Sequence, residues 1–113
     1  MKRIEAIIKF FKVEEVKERL FQVGARGMSV SEVLGYRRGG IENDTAPPSI
    51  GDLGFGARSA RIQVVVDDEM VYPVVDAILA SARTGDADDG EVFVSPVSSV
   101  YRIRTGERGL DAI

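Results

Sequence analysis

The chain of 113 residues contains no cysteine and no histidine. Without cysteine it forms no disulfide framework and offers no thiolate, a composition compatible with a reducing cytoplasm. Without histidine it lacks the commonest general base and the commonest metal ligand. Catalysis would have to rest on carboxylates, arginines or a bound metal, and nothing in the sequence positions a nucleophile. We therefore expect a protein that is not an enzyme and has no catalytic residues.

An excess of positive charge and a long apolar run are also missing. Fifteen Lys and Arg residues against eighteen Asp and Glu residues give a net charge of −3, whereas binding to nucleic acid calls for a basic face. The opening "MKRIEAIIKFFK" has a short apolar run interrupted by charges, which predicts neither a signal peptide nor a membrane span. The length predicts one soluble, cytoplasmic domain over residues 1–113.

The chain divides into two similar halves, each with a strand, a helix and a further strand. Strand-like segments occupy residues 3–10, 27–36, 60–66, 91–95 and 99–105. Helical periodicity in "KVEEVKERLFQVG" and an apolar stretch in "EMVYPVVDAILASAR" predict two helices. The order β-α-β-β-α-β predicts an α+β fold, a ferredoxin-like sandwich in which both helices cover one face of a four-stranded antiparallel sheet.

Three positions mark the expected ends of the helices. Gly24 stands where a glycine closes the first helix. Asp67 or Asp68 can cap the start of the second helix through its side chain. Pro73 falls near the end of the first turn of that helix, so we expect the helix to start late or to bend.

Two segments lack the pattern of core elements. Residues 37–59 have no apolar periodicity and are rich in Gly, Pro, Asp and Asn. A loop of this length in a compact domain is usually functional or disordered, so we expect a long flexible loop. Residues 84–91, "TGDADDGE", form a Gly-bounded acidic turn that lacks the full ligand ladder of a calcium loop. The sequence favours a solvated acidic turn over a metal site, and we expect no metal site.

The last predicted strand carries two arginines. Arg102 and Arg104 alternate with Tyr101 and Ile103, which on a strand puts both guanidinium groups on one face. Such a pair suits a solvated edge strand that discourages aggregation. It equally suits bidentate binding of phosphate oxygens. The spacing by itself favours the edge strand and leaves phosphate binding open.

Several motifs of this chain resemble those of the PII signal-transduction family of nitrogen-regulatory proteins. The segments "MKRIEAIIKFFK", "ARTG", "FVSPV" and "YRIRTGERGLDAI" match that family's signatures at matching spacing over nearly the whole chain, and "RIRTGE" is the most specific of them. The resemblance implies a cytoplasmic homotrimer with an adenine nucleotide (ATP, ADP or AMP) in each cleft between neighbours. It also implies that the loop of residues 37–59 contacts a target protein. That target would be an enzyme, a regulator or a membrane transporter of nitrogen metabolism, contacted without membrane insertion.

The resemblance also implies which residues contact the nucleotide. The adenine side and the strand ends contribute Ile7, Ser29 and Val65, and the base of the long loop contributes Gly35, Arg37 and Arg38. The phosphate-cradling turn contributes Asp88, Asp89, Gly90 and Glu91, and the arginine pair is Arg102 and Arg104. In the family, the paired arginines reach across the subunit boundary to the phosphates. The resemblance thereby reverses the interpretation that the spacing alone favours.

The chain departs from the family in the phosphate-cradling turn. Glu91 stands at the position of a lysine that contacts terminal phosphates, and Asp88 stands at a glycine position. A carboxylate about 4 Å from a phosphate charge costs roughly 1 kcal/mol in bulk water and about 4 kcal/mol at an effective dielectric of 20. Two alternatives therefore stay open: a member with an altered ligand, such as AMP, ADP or another small anion, or a partner-binding trimer without a nucleotide.

The long loop departs from the family as well. Gly39 stands near a glutamine that helps the family hold magnesium and 2-oxoglutarate, so the resemblance does not carry these two ligands over. Ser59 falls where a lysine is common, and Arg58 and Arg61 are close enough in the sequence for either to substitute for it. The loop itself holds no tyrosine, which argues against nucleotidylation of a tyrosine in its usual place.

An RNA-binding module would share the predicted order of elements. Such modules stack bases on several aromatic side chains of the sheet. Phe93 is the lone aromatic residue of its strand, and the net charge of the chain is negative. We therefore expect no nucleic-acid partner.

Overall fold

The computed structural model describes residues 1–35 and 57–113, so most of the predicted loop of residues 37–59 lies outside the described residues. The described part contains four strands and two helices: β1 (Lys2–Lys9), α1 (Val13–Gln22), β2 (Ser29–Gly35), β3 (Ala57–Val66), α2 (Val71–Ala82) and β4 (Gly90–Pro96). This order confirms the predicted β-α-β-β-α-β arrangement. Neither of these helices is long and apolar enough to cross a membrane.

The four strands form one antiparallel sheet in the order β2-β3-β1-β4. β1 and β3 occupy the centre, and Ile4 of β1 lies opposite Val64 on one side and Val94 on the other. Each half of the chain contributes one central and one edge strand, since β1 and β2 come from the first half and β3 and β4 from the second. The sheet confirms the predicted ferredoxin-like α+β fold.

The hydrophobic core lies between the helices and one face of the sheet. Along β1 the buried residues alternate with more exposed ones, as expected for a strand with one covered face. The core residues of the sheet are Ile4, Ala6, Ile8, Ala60, Ile62, Val64 and Val66, and those of the helices are Val16, Leu20, Val74, Ala77, Ile78 and Ala82. Both helices therefore cover the same face of the sheet, and neither helix covers the opposite face.

The end of α1 follows the prediction for Gly24. Its φ of +104° lies in the left-handed region, which glycine adopts without a side-chain penalty. The Gly24 N–H donates to the Phe21 carbonyl at 3.1 Å, and the Ala25 N–H donates to the Leu20 carbonyl at 3.0 Å. These two hydrogen bonds form a Schellman motif, which satisfies carbonyls left free at the helix end.

The start of α2 differs from the prediction. Asp67 precedes a short 3-10 turn, Asp68–Met70, and makes no side-chain cap. Asp68 instead contacts the N-terminal ammonium of Met1 at 2.9 Å, so the predicted capping role is wrong for both aspartates. Pro73 lies in the first turn of α2, where its missing N–H removes no intrahelical hydrogen bond. The helix therefore starts only after the 3-10 turn.

The predicted strand at residues 99–105 is wrong. This segment folds back on itself, with one isolated antiparallel bridge between Tyr101 and Arg108. The Arg102 N–H donates to the Glu107 carbonyl at 2.8 Å, and the Gly106 N–H donates to the Arg102 carbonyl at 2.8 Å. Gly106 has a φ of +75°, which ends an extended strand and reverses the chain. The alternating pattern around Arg102 therefore lies in a turn, not on a strand face.

Candidate functional site

Five of the residues implied by the resemblance lie on the face of the sheet opposite the helices. Ile7 lies opposite Glu91 on β4 and opposite Arg61 on β3. Because alternate residues of a strand share a face, the register places the following residues on this outer face: Ile7, Ser29, Gly35, Val65 and Glu91. The outer face of the sheet is therefore the candidate site.

These residues occupy opposite ends of that face. Ile7 and Glu91 are direct neighbours across two strands. Val65 lies opposite Arg3, four residues along β1 from Ile7. Strand spacing then puts Val65 about 17 Å from Glu91, and a similar construction puts Ser29 about 12 Å from Ile7. One copy of the chain separates the predicted contacts into two groups.

Two clefts contain these two groups. The larger cleft, of about 760 Å³, lies between the segment after α1, the end of β3 and the C-terminal residues, and Ser29 and Val65 line it. The smaller, of about 190 Å³, lies where α2 ends and β4 begins, and Ile7, Gly90 and Glu91 line it. Six of the predicted contacts, with Asp89 in the smaller cleft, are thus divided between two clefts of one chain, whereas Gly35, Asp88, Arg102 and Arg104 line neither cleft.

Asp89 holds the acidic turn before β4 in a fixed shape. Its carboxylate accepts hydrogen bonds from the backbone N–H groups of Thr84 (2.7 Å) and Gly85 (2.9 Å), and from the Thr84 hydroxyl. These donors, the Thr84 hydroxyl foremost and then the two backbone groups, hold the pKa of Asp89 well below its usual range. Asp89 is therefore a structural anion of the turn.

Lys9, at the end of β1, lies among the carboxylates of this turn. Its ammonium is 2.5 Å from Asp86 Oδ2, 3.4 Å from Asp88 Oδ1 and 3.5 Å from Asp89 Oδ1. It also donates to the Thr84 hydroxyl at 3.1 Å. The pKa of Lys9 is raised, chiefly by its hydrogen bond to Asp86. Sequence reasoning missed Lys9, because its contacts depend on the pairing of β1 with β4.

Residues 84–91 form a largely exposed turn, as predicted, but the prediction did not include the pairing of its carboxylates with a lysine. Asp86 and Asp88 are exposed, yet both pair with the ammonium of Lys9. Within residues 1–35 and 57–113, no group of three or more acidic side chains is arranged to hold a metal ion. The centre of the aspartate cluster is occupied by a side-chain cation.

Gly90 occupies a position that no other residue fits. Its φ is +114°, and a Cβ built there would lie 1.7 Å from the carbonyl oxygen of Ile7. The backbone of β4 therefore approaches β1 more closely than any side chain would allow. This approach fixes where Glu91 begins the outer face beside Ile7.

Glu91 is the carboxylate of this end that lacks a partner. Its side chain is exposed, and it makes no hydrogen bond or ion pair with any other residue in the described part of the chain. Asp88, the other departure from the family pattern, pairs with Lys9. Of the two departures, Glu91 thus presents its full charge to a ligand at the outer face.

The arginine pair lies in the turn of residues 101–108. Arg102 is half-buried and Arg104 is exposed. Neither guanidinium pairs with a carboxylate of the described residues, so both can bind an external anion. Arg37 and Arg38, the other predicted arginines, lie outside the described residues.

The arginines that flank Ser59 are already paired. Arg58 contacts Glu32 at 2.5 Å, and its guanidinium stacks over the ring of Phe10, 3.7 Å from the ring centre. Arg61 contacts Glu5 at 2.7 Å on the outer face. Both contacts are partly exposed, so each contributes little to stability. They nevertheless occupy the two guanidinium groups that sequence proximity suggested as substitutes for the family's lysine.

Comparison with known proteins identifies the family. The sequence model described as Nitrogen regulatory protein P-II matches residues 1–107. The proteins named Nitrogen regulatory protein P-II from Nostoc punctiforme and from Synechocystis are each 45% identical to this chain over 113 residues, and the one from Azospirillum brasilense is 45% identical over 115 residues. Each match covers the full length of both chains. The chain therefore belongs to the P-II family of nitrogen regulatory proteins.

Proposed function

We propose that this protein is a homotrimeric regulator that binds an adenine nucleotide between subunits and controls a target protein of nitrogen metabolism through its loop of residues 37–59. The observation that carries the proposal is the division of the implied nucleotide contacts between two clefts of one chain. A ligand that touches both groups needs the larger cleft of one copy to face the smaller cleft of another. A symmetric ring of copies repeats such a heterologous contact and closes it.

The exposed apolar side chains support assembly of several copies. Phe93, on the outer face of β4, is 53% exposed, and Ile103 in the C-terminal turn is fully exposed. Tyr101 and Leu110, in the same C-terminal region, are exposed as well. Large exposed apolar groups are common at surfaces through which proteins interact. A second and a third copy of the chain would cover them.

The arginine pair supports a phosphate-bearing ligand. Arg102 and Arg104 are permanently charged cations, and their guanidinium groups form no ion pair with a carboxylate of the described residues. Guanidinium forks bind phosphate oxygens bidentately and stay protonated at any pH the protein tolerates. In the proposed trimer these two side chains reach the phosphates of a nucleotide held against a neighbouring subunit.

Calorimetric titration with ATP, ADP, AMP and adenosine tests the nucleotide site. Arg104→Ala should weaken the three phosphorylated ligands at least 10-fold, because a charge-assisted contact is typically worth roughly 1.5–3 kcal/mol. It should leave adenosine unchanged. Arg108→Ala, in the same turn and equally exposed, is the matched control and should change nothing. Equal losses in both variants would contradict a specific role for Arg104.

A loop deletion tests target control separately. We expect a variant that lacks residues 41–54 to keep its oligomeric state and its nucleotide affinity but to lose its contact with target proteins. Pull-down from a nitrogen-limited and a nitrogen-replete extract with the full chain and with this variant measures the difference. Targets retained equally by both forms would contradict the role of the loop.

The second candidate function is a partner-binding trimer without a nucleotide. The unpartnered carboxylate of Glu91 favours it, because that charge opposes phosphate at the smaller cleft. Under this alternative the loop deletion still abolishes target binding, whereas wild-type protein gives no heat with any adenine ligand. The calorimetric titration of wild-type protein therefore separates the two functions.

A further inference from the structure

We infer that this site selects adenine ligands by their phosphate charge, taking AMP in preference to ADP and ATP when no divalent cation is present, and that Glu91 sets this selection. The inference rests on the proposed function, since it presupposes an adenine nucleotide at the turn before β4. Typical members of the family carry a lysine at the position of Glu91, and a lysine would favour the more highly charged nucleotides, whereas a glutamate disfavours them.

The charges of the turn beside the smaller cleft are mostly negative. Lys9 lies beside the acidic turn, but its ammonium already contacts Asp86, Asp88 and Asp89 within 3.5 Å. One ammonium compensates one of these carboxylate charges. The side chain of Lys9 is 17% exposed, so it is also poorly placed to leave the cluster for an arriving phosphate. The turn itself therefore carries a net negative charge, which repels an approaching anion.

The lining of the smaller cleft contains more negative than positive side chains. Arg83, Asp89 and Glu91 are the charged residues among its described lining, which gives one guanidinium against two carboxylates. Asp89 stays bound to the Thr84 hydroxyl and to backbone N–H groups. Glu91 has no such partner among the described residues, so its carboxylate faces a bound ligand directly.

The number of phosphates then decides the affinity. Each added phosphate brings a further negative charge towards fixed carboxylates, whereas the arginine pair of the neighbouring subunit supplies a constant number of cations. One unit of repulsion at about 4 Å in water corresponds to roughly 5-fold in the dissociation constant, and more where water is excluded. We expect the affinity to fall by about this factor from AMP to ADP and again from ADP to ATP.

The test is a titration ladder on the intact protein in buffer with EDTA, with AMP, ADP, ATP and adenosine as ligands. Wild type should bind AMP best. Glu91→Gln, which keeps the shape and removes the charge, should narrow the differences in affinity among the three phosphorylated ligands, and Glu91→Lys should make ATP the best ligand. Glu18→Gln, an exposed glutamate on α1, is the matched control and should reproduce the wild-type order. Raising NaCl should narrow the wild-type gap between AMP and ATP, because salt screens repulsion.

The contrary outcomes are distinct. If wild type binds ATP best without divalent cations, and Glu91→Gln keeps that order, the selection by Glu91 is wrong while the nucleotide site stands. If Glu91→Lys binds ATP and wild type binds no ligand, the preference for AMP is wrong and the nucleotide-free function is favoured. If no ligand, adenosine included, binds to wild type or to either Glu91 variant, the proposed nucleotide site fails and this inference fails with it.

Discussion

The ammonium of Lys9 lies 2.5 Å from Asp86 Oδ2, although the two residues are 77 positions apart in the chain. This contact joins the end of β1 to the turn that precedes β4, so it links the first half of the chain to the second. Asp88 and Asp89 approach the same ammonium. Lys9 therefore acts as the internal counter-ion of the acidic turn.

Replacing Lys9 with methionine should loosen this turn. The variant keeps a similar side-chain length but leaves the carboxylates of Asp86, Asp88 and Asp89 to repel one another. We expect several-fold faster amide exchange over residues 84–89 and a lower thermal midpoint. Lys12→Met is the control, because Lys12 pairs with Glu15 on the surface of the first helical segment, where such pairs are worth little. Equal exchange in both variants would show that Lys9 does not hold the turn.

The dependence of stability on pH should follow Asp89. Its pKa is lower in the folded protein than in the unfolded chain, so the stabilisation is complete above the unfolded value of about 3.9 and is lost as the pH falls below it. The pKa of Lys9 is raised, so its contribution holds below an unfolded value of about 10.4 and is lost as the pH rises further.

Urea midpoints between pH 2 and pH 11 check this prediction. Asp89→Asn should be less stable than wild type at pH 7, and the difference should shrink as the pH falls below about 4. Asp76→Asn, an exposed aspartate of α2, serves as the control. A difference between wild type and Asp89→Asn that stays constant down to pH 2 would contradict the role of an ionised Asp89.

Gly90→Ala should be among the most disruptive single substitutions of a surface position. The new Cβ would lie 1.7 Å from the Ile7 carbonyl oxygen in a left-handed backbone. We expect a loss of roughly 2–4 kcal/mol in the free energy of unfolding, from strain and displacement of the start of β4. Gly27→Ala meets nothing within 4 Å and should stay within about 0.5 kcal/mol of wild type. Denaturant unfolding measures the stability of the two variants. Similar losses of stability in both would contradict the close approach of Gly90 to the Ile7 carbonyl.

Light scattering should find a trimer, at three times the protomer mass of 12.3 kDa. Phe93 on the outer face of the sheet is 53% exposed and Ile103 is fully exposed, and in the proposed trimer another copy covers both. Phe93→Lys should lower the trimer fraction at micromolar concentration, whereas Phe11→Lys, at an exposed aromatic residue beside α1, should not. A wild-type protein that scatters as a monomer at micromolar concentration would contradict the assembly.

The fold could be predicted because its signals are local. The alternation of Ile4, Ala6 and Ile8 in β1 and the spacing of Val16 and Leu20 in α1 directly reflect one covered face. The strand predicted at 99–105 failed for the same reason. Tyr101 and Ile103 alternate as in a strand, but no sheet partner exists for them within the described chain, and the Thr-Gly pair turns the backbone back.

The candidate site could be predicted only in part. The resemblance named Ile7, Val65 and Glu91, and strand register places them on one face. Neither the sequence nor the resemblance indicated that Lys9 pairs with the carboxylates of the acidic turn, because a contact over 77 positions depends on the pairing of β1 with β4. Local patterns do not reveal charges that meet only after folding, and the expectation of a merely solvated turn was incomplete for that reason.

A subunit-mixing titration tests the central claim, a nucleotide site built from two copies, most directly. Ser29→Tyr blocks the larger cleft and Ile7→Tyr blocks the smaller one, so neither variant alone should bind AMP or ATP. Mixed trimers, refolded together and isolated with two affinity tags, contain a junction in which an unblocked larger cleft faces an unblocked smaller cleft. We predict that these mixed trimers recover AMP binding with wild-type affinity and reduced stoichiometry. Mixed trimers that bind no nucleotide, while wild-type trimers treated in the same way do, would contradict a site shared between subunits.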